Sequence, residues 1–187
     1  MPVTIRTATS DDAPEVYRLI RELAVYEKLE HAVRADARSI REAMDSDDPR
    51  IHVLLAEETG PGASSPGAAP PRVASSPGAT PPPAPPRAIG FALYFFTFST
   101  FEGAPTLYLE DVFVEPAERG RGVGTMLLAR LARAALDRGC RRMEWTALDW
   151  NVSAREFYEN LGAKPMTSWI IHRLEAHAIE AVSRGRG

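Results

Sequence analysis

A proline-rich stretch in the first half of the chain sets the strongest limit on how this sequence can fold. Ten of the 16 prolines and four of the 13 glycines fall between Thr59 and Arg87, where there is no Asp, Glu, Leu, Ile or aromatic residue. Such a stretch buries too little apolar surface to offset the entropy lost on ordering. We therefore predict a disordered insertion at residues 59–87, so the folded part must be built from the two flanking segments.

The flanking segments predict where this insertion lies. Ile51–Glu57 and Ala88–Thr97 both have the residue pattern of β-strands, so the insertion is expected to connect the two strands of a β-hairpin. A tolerated surface loop is the simpler interpretation, because long insertions cost little entropy. The proline clusters also fit ligands of proline-binding modules, which leaves a partner protein of that kind open. We expect a single domain over residues 1–187.

Composition argues against several classes of protein. With 22 Lys and Arg against 25 Asp and Glu, the net charge of −3 gives no basic field for nucleic acid. No apolar run approaches the roughly 18 residues that cross a bilayer, and the N-terminal residues lack the pattern of a secretory signal. A single cysteine, Cys140, and histidines without ligand spacing predict neither a disulfide framework nor a metal site. We expect a cytoplasmic protein with no membrane or nucleic-acid partner.

The remaining sequence predicts helices and strands in mixed order. Apolar residues at helical spacing predict helices after Ser10, from Asp36, after Gly124 and from Ser153. Alternating or β-branched segments predict further strands at Val3–Thr7, Thr106–Glu115, Arg142–Leu148 and Ser168–Leu174. Because the two kinds of element do not alternate cleanly, we expect an α/β (α+β) fold with a mixed central β-sheet flanked by helices.

A glycine-rich turn between a strand and a helix carries the clearest chemical signal. The turn is Arg119-Gly120-Arg121-Gly122-Val123-Gly124, and a long apolar helix follows it. Glycines at the mouth of a helix leave backbone N–H groups uncovered, and the helix dipole adds partial positive charge. The spacing matches neither a Walker loop nor the dinucleotide fingerprint. The turn predicts a pyrophosphate site with charge added by Arg119 and Arg121; a turn with glycines for steric reasons is the alternative.

The same segment resembles the acetyl-CoA-binding motif of GNAT N-acetyltransferases, which has the pattern R-x-x-G-x-G/A after a V-x-P strand end and is matched over Val114–Gly124. IRTATSDD near the N-terminus, DWN at Asp149–Asn151 and REFYENLGA at Arg155–Ala163 agree, so the resemblance covers nearly the whole chain outside the insertion. YEKLE, FTFSTFEG, LYLEDVFV and LDWN resemble the diamine acetyltransferase group, and STFEG and LDWN are nearer its thialysine branch than its spermidine/spermine branch. The resemblance implies a GNAT fold, acetyl-CoA as co-substrate and a homodimer.

The resemblance also implies which residues act in catalysis. Glu110 matches the base that takes a proton from the amine, and Tyr158 matches the acid that protonates the leaving thiolate. The alternatives are an ion pair for Glu110 and a core position for Tyr158. Implied substrate contacts are Tyr26, Glu27, Glu110 and Asp111. Implied cofactor contacts are Val112, Phe113, Val114, Arg119, Gly120, Arg121, Gly122, Val123, Gly124, Asn151, Ser153, Ala154 and Tyr158.

Strand geometry leaves open whether the neighbouring carboxylates of Glu110 and Asp111 lie on the same face of the sheet. Alternation sends Glu110 and Asp111 to opposite faces of the sheet unless a bulge intervenes, and a bulge on this strand is a feature of the family. The resemblance therefore implies a bulge here, one that also admits the pantetheine arm of the donor.

Two departures from the polyamine enzymes bear on the substrate. Thr100 and Glu102 stand where those enzymes carry an acidic residue and a tryptophan, and Lys164–Ser168 has no carboxylate where they have an acid-rich stretch. We therefore expect acetyl transfer to a primary amine of a small molecule, a thialysine- or lysine-like amine before a diamine or polyamine, by direct attack in a ternary complex. The alternatives are acetylation of a protein or peptide amine and a non-catalytic acyl-CoA-binding module.

Overall fold

The computed structural model describes residues 1–58 and 86–185, which form two compact units, Met1–Thr146 and Ala147–Gly187. The predicted insertion at 59–87 lies outside the described residues except for Pro86 and Arg87. Within the described part, no helix is both long and apolar enough to cross a membrane. That a single domain spans 1–187 stays a prediction.

The first unit is built, over its described residues, around a five-stranded sheet in the order β1-β2-β3-β4-β5. The first four strands are antiparallel to their neighbours, and β5 runs parallel to β4. The predicted mixed sheet is therefore confirmed. The strands are β1 (Val3–Thr7), β2 (His52–Glu58), β3 (Arg87–Ser99), β4 (Ala104–Val114) and β5 (Arg142–Trp145).

The predicted hairpin around the insertion is also confirmed. β2 and β3 are antiparallel neighbours, and Glu58 pairs with Arg87 at the end of their ladder. The chain thus leaves the sheet at Glu58 and returns to it at the directly opposite position. The strand begins at Arg87, one residue earlier than the sequence predicts.

Three helices flank the sheet of the first unit: α1 (Ala13–Glu27), α2 (Ala37–Met44) and α3 (Val123–Asp137). Asp36 caps α2 by accepting a hydrogen bond at Oδ1 from the backbone N–H of Ser39 (2.7 Å). Apolar residues of α1 and α2 form one core with alternate residues of β2 and β3, among them Val53 and Leu55. The intervening Leu54 contributes to the other face, where it lines a cavity with residues of α3.

The second unit contains α4 (Val152–Asn160) and α5 (Ala176–Ser183). The predicted strand at Ser168–Leu174 is wrong, since these residues adopt no regular secondary structure. Trp169, Ile170 and Ile171 are 71%, 77% and 70% exposed. An apolar, β-branched run forms a strand only where a neighbour accepts and donates its backbone hydrogen bonds, and no strand is assigned within the described part of this unit.

Candidate active site

A β-bulge in β4 brings two acidic residues to the centre of the sheet. Leu93 of β3 pairs with Asp111, but the next residue, Tyr94, pairs with Leu109, so Glu110 is an extra residue on β4. The bulge implied by the family resemblance is therefore present. Glu110 is exposed, whereas Asp111 is largely buried.

A third carboxylate, Glu27, ends α1 on the same side of this bulge. The pKa of Asp111 is raised to about 7. Burial is the largest cause, and repulsion by the charges of Glu110 and Glu27 adds to it. Burial also raises the pKa of Glu27. Among the described residues, none of the three carboxylates makes an ion pair or a hydrogen bond. The structure thus brings three of the four implied substrate contacts into one negatively charged cluster.

The fourth implied contact, Tyr26, joins this cluster to the glycine-rich turn. α1 ends where Lys28 adopts a left-handed backbone conformation (φ 60°). Two residues before Lys28, the ring of Tyr26 lies against the glycine-rich turn, with its centroid 4.3 Å from the guanidinium of Arg119. Nε of Arg119 also donates to the carbonyl of Val114 (3.1 Å). These contacts hold Arg119 between the end of α1 and the end of β4.

The glycine-rich turn presents an open helix N-terminus. Gly120 and Gly122 have φ of +76° and +80°, and a Cβ on either would meet no atom within 4 Å. Gly122 is the N-cap of α3, and no side chain caps the helix there. The backbone N–H groups of the first turn, at Val123 and Gly124, have no acceptor within the helix, and the positive end of the dipole of a 15-residue helix lies at this turn. These features fit a pyrophosphate.

The second arginine of the turn is neutralised by carboxylates. Nη2 of Arg121 donates to Glu58 (2.9 Å) and to the carbonyl of Met1 (2.8 Å), and Nη1 donates to Glu118. The hydrogen bond to Glu58 is the largest cause of the raised pKa of Arg121. Anion binding by the turn consequently depends first on its backbone. That Arg121 contacts the donor stays a prediction.

A buried acidic residue fixes the end of β4 to the rest of the first unit. Glu115, only 6% exposed, accepts hydrogen bonds from Arg18 (3.0 Å) and from Arg87. Arg18 also donates to the carbonyl of Ala88 (2.8 Å). Sequence reasoning missed these pairs, because Arg18 and Glu115 are far apart in the chain and no local pattern joins them.

Beyond the bulge, one edge of β4 is open. β5 pairs with β4 only as far as Leu109, opposite Trp145. Past that point no described strand covers this edge, while the other edge stays paired with β3 through Val114. An extended chain of a ligand could bind backbone groups there as a strand would. The implied contacts Val112, Phe113 and Val114 lie in this part of β4, with the Phe113 side chain in the core.

The other implied contacts lie in the second unit. Asn151 caps α4, as expected, since its Oδ1 accepts hydrogen bonds from the backbone N–H of Ala154 and from Oγ of Ser153, both at 3.3 Å. Tyr158 is half-buried near the end of α4, and its ring centroid lies 5.4 Å from that of Phe157. The roles of these four residues stay predictions.

Comparisons with known proteins agree with this arrangement. A family model described as "Acetyltransferase (GNAT) family" matches residues 84–163. Thialysine N-epsilon-acetyltransferase of Bos taurus is 35% identical over 184 residues, which cover 97% of each chain. L-ornithine N5-acetyltransferase of Arabidopsis thaliana is 31% identical over 200 residues, covering 96% of this chain and 87% of the relative.

A solved structure shares the fold. AAC(6')-Iy, determined in complex with the bisubstrate analogue CoA-S-monomethyl-acetylneamine, superposes with a TM-score of 0.64 at 20% identity. The match covers 94% of this chain and all (100%) of that one.

Proposed function

The chain belongs to the GNAT acetyltransferase family, and from that premise we propose that it acetylates the terminal primary amine of a small molecule of the lysine, thialysine or ornithine type. As a member of that family it is an N-acetyltransferase that uses acetyl-CoA. The observation that carries the choice of acceptor is the cluster of Glu27, Glu110 and Asp111, which has no cationic partner among the described residues. Unpaired carboxylates of this kind attract an ammonium group.

The donor would be held mainly by backbone groups. The pyrophosphate fits at Gly120, Gly122 and the first turn of α3, where N–H groups are open and the helix dipole is favourable. The pantetheine arm fits along the open edge of β4, at Val112–Val114. Acetyl-CoA supplies the acetyl thioester whose carbonyl carbon reacts with the amine.

The acceptor must lose a proton before it can attack, because an ammonium nitrogen has no free electron pair. The carboxylates at the bulge bind the cationic amine and take up that proton. We assign protonation of the departing sulfur to Tyr158 on α4, with Asn151, Ser153 and Ala154 as further donor contacts. Direct attack with both substrates bound then needs no covalent enzyme intermediate. Burial raises the pKa of the Cys140 thiol, which disfavours a nucleophilic thiolate at the one cysteine.

The acceptor proposed here is short. Long polyamines carry several charges and gain from carboxylates spread along a channel, whereas Lys164–Ser168 provides none. The two relatives named above act, by their names, on thialysine and ornithine, each of which has a single terminal side-chain amine. A short acceptor with one terminal amine therefore matches the single cluster of Glu27, Glu110 and Asp111.

We also propose a homodimer. The exposed apolar residues of the second unit, Trp169, Ile170 and Ile171 with Leu174, would be covered by a second copy of the chain. Sedimentation velocity of the wild type and of a Trp169→Ser/Ile171→Ser variant tests this, with a dimer expected only for the wild type. A cytoplasmic location and a proline-binding partner for residues 59–87 stay predictions.

Thiol release from acetyl-CoA tests the proposed activity. The purified protein would be assayed with thialysine, lysine, ornithine, putrescine, spermidine and a lysine-containing peptide. We expect the highest kcat/KM with one of the three amino acids, and a large loss of kcat in Tyr158→Phe. Release with the peptide alone would favour a protein acetyltransferase. Binding of acetyl-CoA without release would favour a non-catalytic module.

A further inference from the structure

We propose that Asp111, and not the exposed Glu110, is the group that accepts the proton of the acceptor ammonium. This assignment rests on the proposed function, because it specifies one step of the same reaction at the same site. Glu110 and Glu27 would instead hold the positive charge of the amine as it arrives.

The bulge separates the two carboxylates into different surroundings. Glu110 is the unpaired residue of the bulge and points into water, whereas Asp111 re-enters the ladder opposite Leu93 and is largely buried. An exposed carboxylate keeps its charge at little cost, which suits it to attract a cation. A buried one resists permanent ionisation, so it can take up and release a proton near neutral pH.

The charges that face Asp111 favour its protonated form. Glu110 lies beside it on β4 and Glu27 approaches from the end of α1, while β3 contributes the apolar Leu93. The guanidinium of Arg119, the cation at the start of the glycine-rich turn, lies over the Tyr26 ring. The resulting pKa of about 7 is close to that of an efficient general base at neutral pH.

The proton balance of the step is complete. One proton of the ammonium passes to a carboxylate oxygen of Asp111. The nitrogen then forms a bond to the thioester carbonyl carbon, and the carbon–sulfur bond breaks. Nitrogen loses a second proton, the departing sulfur gains one, and Asp111 returns its own to water. The net products are the amide, free CoA and one proton in solution.

The pH dependence of kcat/KM tests the assignment in the full-length protein with the best amine of the panel. For the wild type we expect activity to fall below an apparent pKa near 7. Asp111→Asn should lose about 100-fold or more at pH 7.5, within the range for a lost general base, together with this acidic limb. Glu110→Gln should keep the limb but move it to lower pH, because a repulsive neighbour of Asp111 is gone. Asp47→Asn, an exposed site outside the cluster, should match the wild type.

A second measurement is independent of activity. Carbon-13 NMR of aspartate-labelled protein, with Asp111→Asn used to assign the signal, should give a carboxyl titration with its midpoint near 7 that moves to lower pH in Glu110→Gln. A midpoint near 4, or an acidic limb that vanishes in Glu110→Gln and survives in Asp111→Asn, would overturn the assignment. A wild type that binds acetyl-CoA but acetylates no amine would refute the proposed function, and this step with it.

Discussion

Two regions at either end of the same strand segment treat charge in opposite ways. At the bulge of β4, Glu110 and Asp111 join Glu27 with no cationic partner among the described residues. In the turn that follows β4, Arg121 is paired with two carboxylates. The carboxylates at the bulge thus stay available for the proposed cationic acceptor, whereas Arg121 uses its charge in ion pairs within the chain.

The proposed ligands of the two regions account for this difference. An amine has to be attracted and then deprotonated, which requires carboxylates whose charge is not already compensated. A pyrophosphate can be held by backbone N–H groups at a helix N-terminus, where the positive end of the dipole is fixed in place. The arginine pairs can then serve to hold the glycine turn in shape.

The strongest way to break this comparison is to place a carboxylate in the basic region. Gly122→Asp would put a negative charge at the N-cap of α3, in the space where the pyrophosphate fits. We expect the Kd for acetyl-CoA, measured by calorimetry, to rise about 100-fold, equivalent to about 2.7 kcal/mol. Gly122→Asn is the matched control, since it has the same size and tolerates the same positive φ. Equal losses in both variants would mean that shape, not charge, governs the turn.

A smaller effect is expected on stability at the acidic region. The folded-state pKa of Asp111, about 7, lies above its unfolded value, so the folded protein binds more protons between about pH 4 and 7. The free energy of unfolding contributed by this group therefore falls as the pH rises through that window. In urea denaturation, Asp111→Asn should be more stable than the wild type at pH 8 by about 1 kcal/mol or more, and equal to it at pH 4. A constant difference at every pH would contradict a buried, titrating Asp111.

The smallest effect should come from freeing a charge in the basic region. Glu58→Gln removes one of the carboxylates that neutralise Arg121. We expect the affinity for acetyl-CoA to increase about threefold at low salt and to converge with the wild type in 0.5 M salt, where exposed charges are screened. Asp137→Asn, near the far end of α3 from the turn, changes the net charge in the same direction and is the matched control. An unchanged affinity would show that the charge of Arg121 does not reach the donor.

Much of the fold was predictable from the sequence because its signals are local. The helical spacing in α3 and the residue patterns of the two strands around the insertion each depend on neighbouring residues. The strand expected at Ser168–Leu174 failed because a strand also needs a partner, which composition does not reveal. Strand boundaries differed by up to three residues for the same reason, the largest difference being at β5, which ends at Trp145 and not at Leu148.

The site was predictable as a set of residues but not as an arrangement. Glycine spacing located the turn, and the family resemblance supplied the bulge and the carboxylates. That Arg121 is neutralised depends on Glu58, which is 63 residues away in the chain. The different surroundings of Glu110 and Asp111 depend on the register between β3 and β4. Both depend on contacts between residues that are distant in the sequence, which local sequence patterns do not reveal.

Because Glu58 pairs with Arg87, the length of the connection between β2 and β3 can change without changing the sheet. Two residues opposite each other in an antiparallel ladder have Cα atoms only about 5 Å apart, whatever number of residues joins them. Shortening, lengthening or replacing residues 59–86 therefore leaves the sheet with the same end points. A fluorescent reporter or an affinity handle could be inserted there, next to Glu58 and its ion pair with Arg121 of the glycine-rich turn, without moving β2 or β3.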